Sequence, residues 1–338
     1  MKKLFIFAVL AVLTVILTAC GSKEKDSAAS ASNGKFALKY NGEASVVNAA
    51  ELAEDLGYFK KVTLDYKGFS KGGPESIQYV ATKQIDFGSA FNAAIIKSVE
   101  KGVKIKSVIT SYGSTNESYL GFFRKKGSPI TEAKDLIGKK VSVNIRGAHL
   151  EMALQKYLLN AGLTDEEIAQ VEFVTLPSVN AEQTLLNDQI DLAGLTFIYR
   201  DKALEANKTT VLFKDIDKEV FDGEYNAGGY FFSEDFIKEH PEEVKDFTQG
   251  VAKAFEWLKT TEKDEVIARM TKIMEARKRE ESPENLKYWH DAGIVTEGGV
   301  IEETDYDRFL EQLVKSGELD SKDIDVTKYF TNEFNPYN

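Results

Sequence analysis

The sequence predicts an α/β protein of two lobes, and three observations carry the prediction. Short strand-like segments alternate with helix-like ones over residues 36–111 and again over 130–213. The chain beyond a short apolar leader is about 300 residues, more than one ordinary core organises. From about residue 230 the pattern turns helical, and those helices must pack on one of the lobes. Alternation of this kind implies a largely parallel sheet with helices on both faces.

In the first block, 36–40 reads as a strand. A helix over 46–59 follows, with Val46, Ala49, Leu52, Ala53 and Leu56 on one face and Gly57 as its stop. Strands at 62–66, 85–88 and 105–111 alternate with helices at 75–83 and 92–101. In the second block, a strand-like run at 119–124 precedes a short helix at 130–137. Strands at 140–144, 171–175, 190–194 and 211–213 then alternate with helices at 149–161, 181–187 and 197–206. Thr164-Asp165-Glu166-Glu167 is a capping-box pattern for a further short helix. In the last third, Pro241 opens a helix to about 260, and others follow at 263–278, 283–291 and 304–315. The runs 119–124 and 230–232 are the expected passages between lobes, and no short-period repeat is present.

The N-terminus carries its own signal. Met1-Lys2-Lys3 is a basic head, and an apolar run from Leu4 to Ala19 is interrupted only by Thr14 and Thr18. That run is shorter than the roughly 20 residues of a spanning helix and reads as a secretory signal over 1–19. Leu17-Thr18-Ala19-Cys20 resembles a bacterial lipobox, which implies a diacylglycerol on the thiol of Cys20 and attachment to the extracytoplasmic face of the cell membrane. Cys20 is the only cysteine, so no disulfide can brace the domain. Residues 20–35 are polar and aperiodic and form a flexible tether. The net charge of −11 becomes more negative when Lys2 and Lys3 leave with the signal, which argues against a nucleic-acid partner.

In open α/β sheets ligands sit beyond the carboxyl ends of the strands, often against helix N-termini with free N–H groups. Those ends offer Gly42, Glu43 and Ser45; Ser70, Gly72 and Gly73; Ser89, Phe91 and Asn92; Tyr112; Arg146, Gly147 and His149; Ser178 and Asn180; and Thr196 and Phe197. Tyr225 adds another ring. Each has a plainer reading. Gly72-Gly73-Pro74 is a tight turn, Ser89 a helix cap, Arg146 a solvated charge, His149 a polar helix start, and the aromatics core.

Catalytic readings are poorer. Gly68-Phe69-Ser70-Lys71-Gly72 has the Gly-x-Ser-x-Gly spacing of a hydrolase nucleophile elbow, with Ser70 as nucleophile. The strand before it alternates in character, unlike a central buried strand. Three scattered histidines and one lipidated cysteine leave no metal set, and Asp215-Ile216-Asp217-Lys218-Glu219 lacks the glycine of a calcium loop. No Gly-rich phosphate or dinucleotide motif is present, so no cofactor is expected.

Several motifs occur in a telling order. Gly72-Gly73-Pro74-Glu75 is followed by Gln84-Ile85-Asp86-Phe87-Gly88, then by Asp135-Leu136-Ile137-Gly138-Lys139-Lys140-Val141 and Gly147, and later by Leu185-Leu186-Asn187-Asp188-Gln189-Ile190-Asp191-Leu192-Ala193. The chain ends Tyr329-Phe330-Thr331-Asn332-Glu333-Phe334-Asn335-Pro336. This resembles the nitrate/sulfonate/taurine type of ABC-transporter solute-binding protein, which includes binders of thiamine-pyrimidine precursors, over nearly all of 36–338. The resemblance implies a type II periplasmic-binding-protein fold, two α/β lobes joined by two crossings with a ligand cleft between them, closing by hinge motion. It implies lobe 1 from 36–118 plus 229–338 and lobe 2 from 119–228. It also implies a monomer that delivers a small molecule to a permease driven by an ATPase.

Two departures stand out. The stretch Gly194-Leu195-Thr196-Phe197-Ile198-Tyr199 has no Trp, and Gly147-Ala148-His149 replaces a Gly-Ser-Ser/Thr run common in sulfonate and taurine relatives. The ligand is therefore either a sulfonate-, taurine- or nitrate-like anion or a flatter vitamin precursor. A surface lipoprotein receptor or adhesin of the same fold is the alternative.

Overall fold

The computed structural model describes residues 34–279 and 281–338. The signal segment, Cys20 and all but the last two residues of the tether lie outside the described residues.

The first sheet begins with β1 (Phe36–Gly42) and β2 (Val62–Phe69), which pair in parallel with Phe36 opposite Val62. β3 (Phe87–Phe91) and β4 (Ile105–Ser114) flank a long antiparallel strand, β10 (Tyr225–Ser233). The two parts meet at β1, where the Asp86 N–H donates to Lys39 O at 2.8 Å and the Lys39 N–H donates to Asp86 Oδ2 at 2.7 Å. The resulting order is β2-β1-β3-β10-β4. The second sheet contains β5 (Gly121–Lys125), β6 (Lys140–Val143), β7 (Glu172–Thr175), β8 (Leu192–Leu195) and β9 (Thr209–Lys214), in the order β7-β6-β8-β5-β9. Here β6 runs parallel to β7 and β8, while β5 is antiparallel to β8 and β9. The two sheets are topologically alike. In each, the antiparallel strand is the one that arrives from the other lobe, so the lobes interlock by exchanging one strand apiece. This is the periplasmic-binding-protein architecture that the family resemblance implied.

Local chemistry sets the helix boundaries. α1 (Ala49–Asp55) starts later than the apolar pattern suggested because Asn48 caps it, accepting from the N–H groups of Ala50 and Glu51 at 3.0 Å. α2 (Gly73–Ala81) carries Pro74 in its first turn, α3 (Asn92–Glu100) follows β3, and α4 (His149–Asn160) follows β6. The Thr164 capping box forms as expected at α5 (Asp165–Ile168). α6 (Ser178–Leu186) and α7 (Phe197–Ala206) complete the second lobe. After β10 come α8 (Glu234–Glu239), α9 (Pro241–Thr260), α10 (Lys263–Arg277) and α11 (Thr304–Lys315). Among these described helices none is long and apolar enough to cross a membrane.

Two expected helices are only 3₁₀ turns, at Ala133–Leu136 and Pro283–Tyr288. Ser282, at the head of the second, makes no side-chain cap, and its N–H donates to Ser45 Oγ. Neither expected passage lies wholly between the lobes: residues 121–124 belong to β5, paired with β8 and β9, and the run 230–232 belongs to β10. That run pairs with β3 on one side and β4 on the other, and β10 begins at Tyr225, ahead of position 229 where the sequence reading placed the return. The connecting segments are 115–120 and 215–224.

One apolar core lies under α9 and α10, where Phe247 packs 4.5 Å from Phe87 and 5.8 Å from Phe59 between ring centres. A second runs without a break from Ile95, Ile96 and Phe309 of the first lobe to Leu150, Leu154 and Phe213 of the second. The Gln312 side chain on α11 donates to Met152 O on α4 at 3.1 Å across this junction.

Asp305, in the first turn of α11, is buried beside it. Its carboxylate accepts from the Glu302 N–H at 2.9 Å and from Asn226 Nδ2 at 3.2 Å. Burial outweighs these bonds and raises its pKa from 3.8 to about 6. The folded state therefore holds this proton more tightly than the unfolded chain. Its stabilising effect is full below the unfolded pKa and is lost as pH rises to about 6, on the order of 3 kcal/mol in all. Asp305→Asn keeps an acceptor oxygen and removes the charge. Thermal unfolding at pH 4.5 and 8 should show the variant gaining several degrees on the wild type at pH 8 and little at pH 4.5. Equal effects at both values would contradict this assignment.

Candidate functional site

The carboxyl ends of the strands from both lobes face one another, and the lobes touch at the rims. A Cβ on Gly72, at the start of α2, would come within 3.0 Å of Ile145 beyond β6. With φ at +150° that position needs glycine both for its backbone and for the approach of the other lobe. On the opposite rim Tyr288 donates to Glu205 of α7, Lys287 lies 3.2 Å from the same carboxylate, and His290 lies 3.3 Å from Asp201.

Aromatic rings line the space between. Phe91, at the end of β3, stacks flat on His149, at the start of α4, with ring centres 4.3 Å apart and planes at 7°. Tyr112 of β4 stands edge-on to Phe197 of α7 at 6.1 Å and lies 6.0 Å from the His149 ring. Phe197 holds φ at +41°, a strained value for a bulky side chain and one that loops at binding sites retain. Glu43, just past β1, is open to solvent and yet crowded by protein, as a group inside a crevice is. Burial raises its carboxyl pKa, and its charge raises the phenols of Tyr112, Tyr199 and Tyr230 further, beyond what burial alone does.

The loop that carries Glu43 is firmly held. Ser45, at φ +59°, gives its N–H to Glu281 at 3.0 Å and accepts the Ser282 N–H at 3.0 Å. Arg277 and Arg279 both bond Glu51 at 2.9 Å, and Arg279 also bonds Tyr40 Oη at 3.0 Å and lies 3.3 Å above the Tyr66 ring. The segment after α10 is thereby strapped onto β1 and α1.

Three cations packed against these loops, Arg146, Lys97 and Arg200, are paired. Arg146 is largely exposed, lies over Phe173, and bonds Glu151 at 2.7 Å. Glu151 also accepts the Gly147 N–H, so both groups expected to meet an anion there are taken by one internal carboxylate. Lys97 pairs with Glu318 at 2.7 Å. Arg200 is buried, bonds Asp201 at 2.6 Å, and donates to the carbonyls of Tyr119 and Glu117.

The structure brings Phe91, Tyr112, His149, Phe197 and Tyr225 together and sets Glu43, Gly72 and Gly73 beside them. It spends other candidate groups on local bonds. Ser70 Oγ bonds Gly72 O at 3.0 Å and Ser76 Oγ at 3.1 Å, and no histidine is among its partners. Ser89 Oγ donates to Ser111 Oγ at 2.8 Å, and Asn92 Nδ2 donates to Asp305 O at 3.0 Å. Gly42 lies buried under Tyr66 and Arg279. Ser178 and Thr196 are half-buried beside α6 and α7, and Asn180 is exposed. Sequence reasoning missed Tyr199, Glu151 and Asp215. Tyr199 sits one turn into α7 and could have been found from its spacing to Thr196. Glu151 answers Arg146 and Gly147 within one helical turn or so, a local spacing that could have been read, whereas Asp215 acts through partners distant in sequence. Among the described residues no group of three or more His, Cys, Asp or Glu could hold a metal ion.

Comparisons with known proteins agree with this geometry. The chain is 22% identical over 318 residues to the riboflavin-binding protein RibY of Chloroflexus aurantiacus, covering 90% of this chain and 83% of that one. A solved structure from Bordetella bronchiseptica RB50 superposes with a TM-score of 0.74 at 20% identity, covering 90% of this chain and 97% of the other. The periplasmic aliphatic sulphonate binding protein SsuA of Escherichia coli superposes with a TM-score of 0.62 at 15% identity, covering 87% and 91%. The family model described as NMT1/THI5 like matches residues 49–263, most of both lobes, and the chain belongs to that family.

Proposed function

We propose that this chain is the substrate-binding lipoprotein of an ABC importer, closing its lobes on a flat heterocycle that carries N–H donors. In this reading residues 1–19 are removed, Cys20 is lipidated, and 20–35 tether the domain outside the cytoplasm. The mature domain works as a monomer, with its lobes at 36–118 plus 229–338 and at 119–228, and passes its ligand to a permease powered by an ATPase.

The observation that carries the ligand class is the cleft itself, which sets a protein-crowded carboxylate, Glu43, beside aromatic rings while Arg146, Lys97 and Arg200 are paired. Rings such as Tyr112 and Phe197 favour a planar ligand by stacking and edge contacts. Glu43 accepts hydrogen bonds and repels an oxyanion, and the protein crowded about it raises its carboxyl pKa. An oxyanion would instead need an unpaired guanidinium or a free helix N-terminus. Arg146 and the Gly147 N–H are both committed to Glu151, whereas the N-termini of α2, α6 and α7 carry no side-chain cap. The riboflavin-binding name of the relative RibY supports the same class.

Titration calorimetry on residues 21–338 with riboflavin, 4-aminopyrimidines, taurine, alkanesulfonates and nitrate tests the proposal. A heterocycle should bind, and Glu43→Gln should weaken it roughly 10- to 100-fold, the loss of a hydrogen bond to a charged group. Tighter binding of taurine or nitrate, indifferent to Glu43, would overturn the ligand class.

The anchor has its own test. Cells fed labelled palmitate should mark the wild-type protein, and Cys20→Ser should abolish the label and release the protein from the membrane. Label retained in the Cys20→Ser variant would refute the lipid anchor.

A further inference from the structure

Both connections between the lobes meet at one buried side chain. Asp215, just past β9, has 0% exposure. Its carboxylate accepts from Ser114 Oγ at 2.5 Å, from the Leu120 N–H at 3.0 Å and from Tyr225 Oη at 3.0 Å. Its own N–H donates to Leu120 O at 3.0 Å. Ser114 ends β4, Leu120 precedes β5, and Tyr225 begins β10. The outgoing and returning segments are thus tied to one residue.

His149 joins this knot from the side. Its Nε2 lies 2.7 Å from Tyr225 Oη and 3.2 Å from Asp215 Oδ2. Counting protons assigns the bond. The single hydroxyl proton of Tyr225 goes to Asp215, so the proton between Tyr225 and His149 comes from Nε2. In the neutral ring Nδ1 is then bare, and that atom is buried without a hydrogen-bond partner. His149 belongs to α4 of the second lobe, and the ring it stacks on, Phe91, belongs to β3 of the first. Phe91 is braced in turn by Phe309 at 4.7 Å. The bonds to Asp215 from Ser114, Leu120 and Tyr225 lie on the connecting segments or on the strand residues that adjoin them, where a hinge rotation displaces atoms least. The Phe91–His149 stack spans the two lobes, so a rotation that opens the cleft must pull it apart.

We infer that His149 is a positioning residue for ligand capture: bonded to the hinge knot along one edge and stacked on Phe91 across the cleft floor, it sets the angle at which the lobes close. The inference rests on the proposed function, since it needs a cleft that opens and closes. Closure then has a built-in stop at the van der Waals contact of two rings. Tyr112, next to His149, carries that position to the ligand wall.

The test compares His149→Asn, which keeps a donor and loses the stack, with Phe91→Leu, which loses the stack from the other lobe. Small-angle scattering without ligand reads the lobe angle, calorimetry with riboflavin reads affinity, and thermal unfolding reads stability. Both variants should scatter as more open particles than the wild type and bind about 10-fold more weakly if riboflavin binds. Both should still unfold cooperatively. Wild-type scattering profiles in two folded variants would overturn the inference and leave His149 as ordinary packing. The scattering needs no ligand, so it decides this point even if riboflavin fails to bind and the ligand class proves wrong. A variant that does not fold leaves the other, from the opposite lobe, to give the answer.

Discussion

The carboxylate of Asp215 lies out of reach of water, and three donors drawn from separate stretches of chain satisfy it. A buried carboxylate without partners is costly, and removing one partner from a satisfied one destabilises by several kcal/mol. Ser114, Leu120 and Tyr225 can reach it together only when both connecting segments are in place. The knot therefore fixes where the chain leaves one sheet and enters the other. The exchange of β5 and β10 between lobes follows from that placement, and so does the facing of the two sets of strand ends. The continuous apolar core through α4 and α11 supports the same junction from behind.

From this junction outward the chain separates what must be rigid from what must move. The Glu43 loop is held by the Arg277, Arg279 and Glu51 cluster and by the Ser45 exchange with Glu281 and Ser282. Such preorganisation lets a carboxylate meet a ligand without first being ordered. The rims are lighter. Exposed charges such as Lys287 and Glu205 form contacts worth little each, which suits surfaces that must part and rejoin. Gly72 leaves the second lobe free to approach.

Much of this was legible in the sequence. The alternation of strands and helices gave the two sheets because apolar period and turn residues are local signals. The Thr164 box and the Pro241 helix start formed where their chemistry put them. Of the residues singled out at the strand ends, Phe91, Tyr112, His149 and Phe197 lie against one another between the two sheets. What could not be read was which side chains answer each other over distance. Ser45 and Ser70 look like ligand groups in isolation, but the Ser45 hydroxyl holds the distant Ser282 N–H and the Ser70 hydroxyl closes a local turn. Arg146 looks like an anion clamp until Glu151 is seen beside it. Asp215 looked only like a failed calcium loop, because its partners lie far away in the chain. The run 230–232 was misplaced for the same reason. Its apolar character marks a strand buried on both faces, and nothing local says which sheet receives it.

The central claim is that the two lobes rotate about the Asp215 knot to enclose a ligand. The chain beyond Cys20 has no cysteine, so single cysteines at Lys71 and Asn180 can be spin-labelled cleanly. Pulsed dipolar distances between them, with and without the ligand found by calorimetry, measure the rotation directly. A broad or long distance that shortens and narrows on binding is the predicted result. A single distance unchanged at saturating ligand would contradict hinge closure.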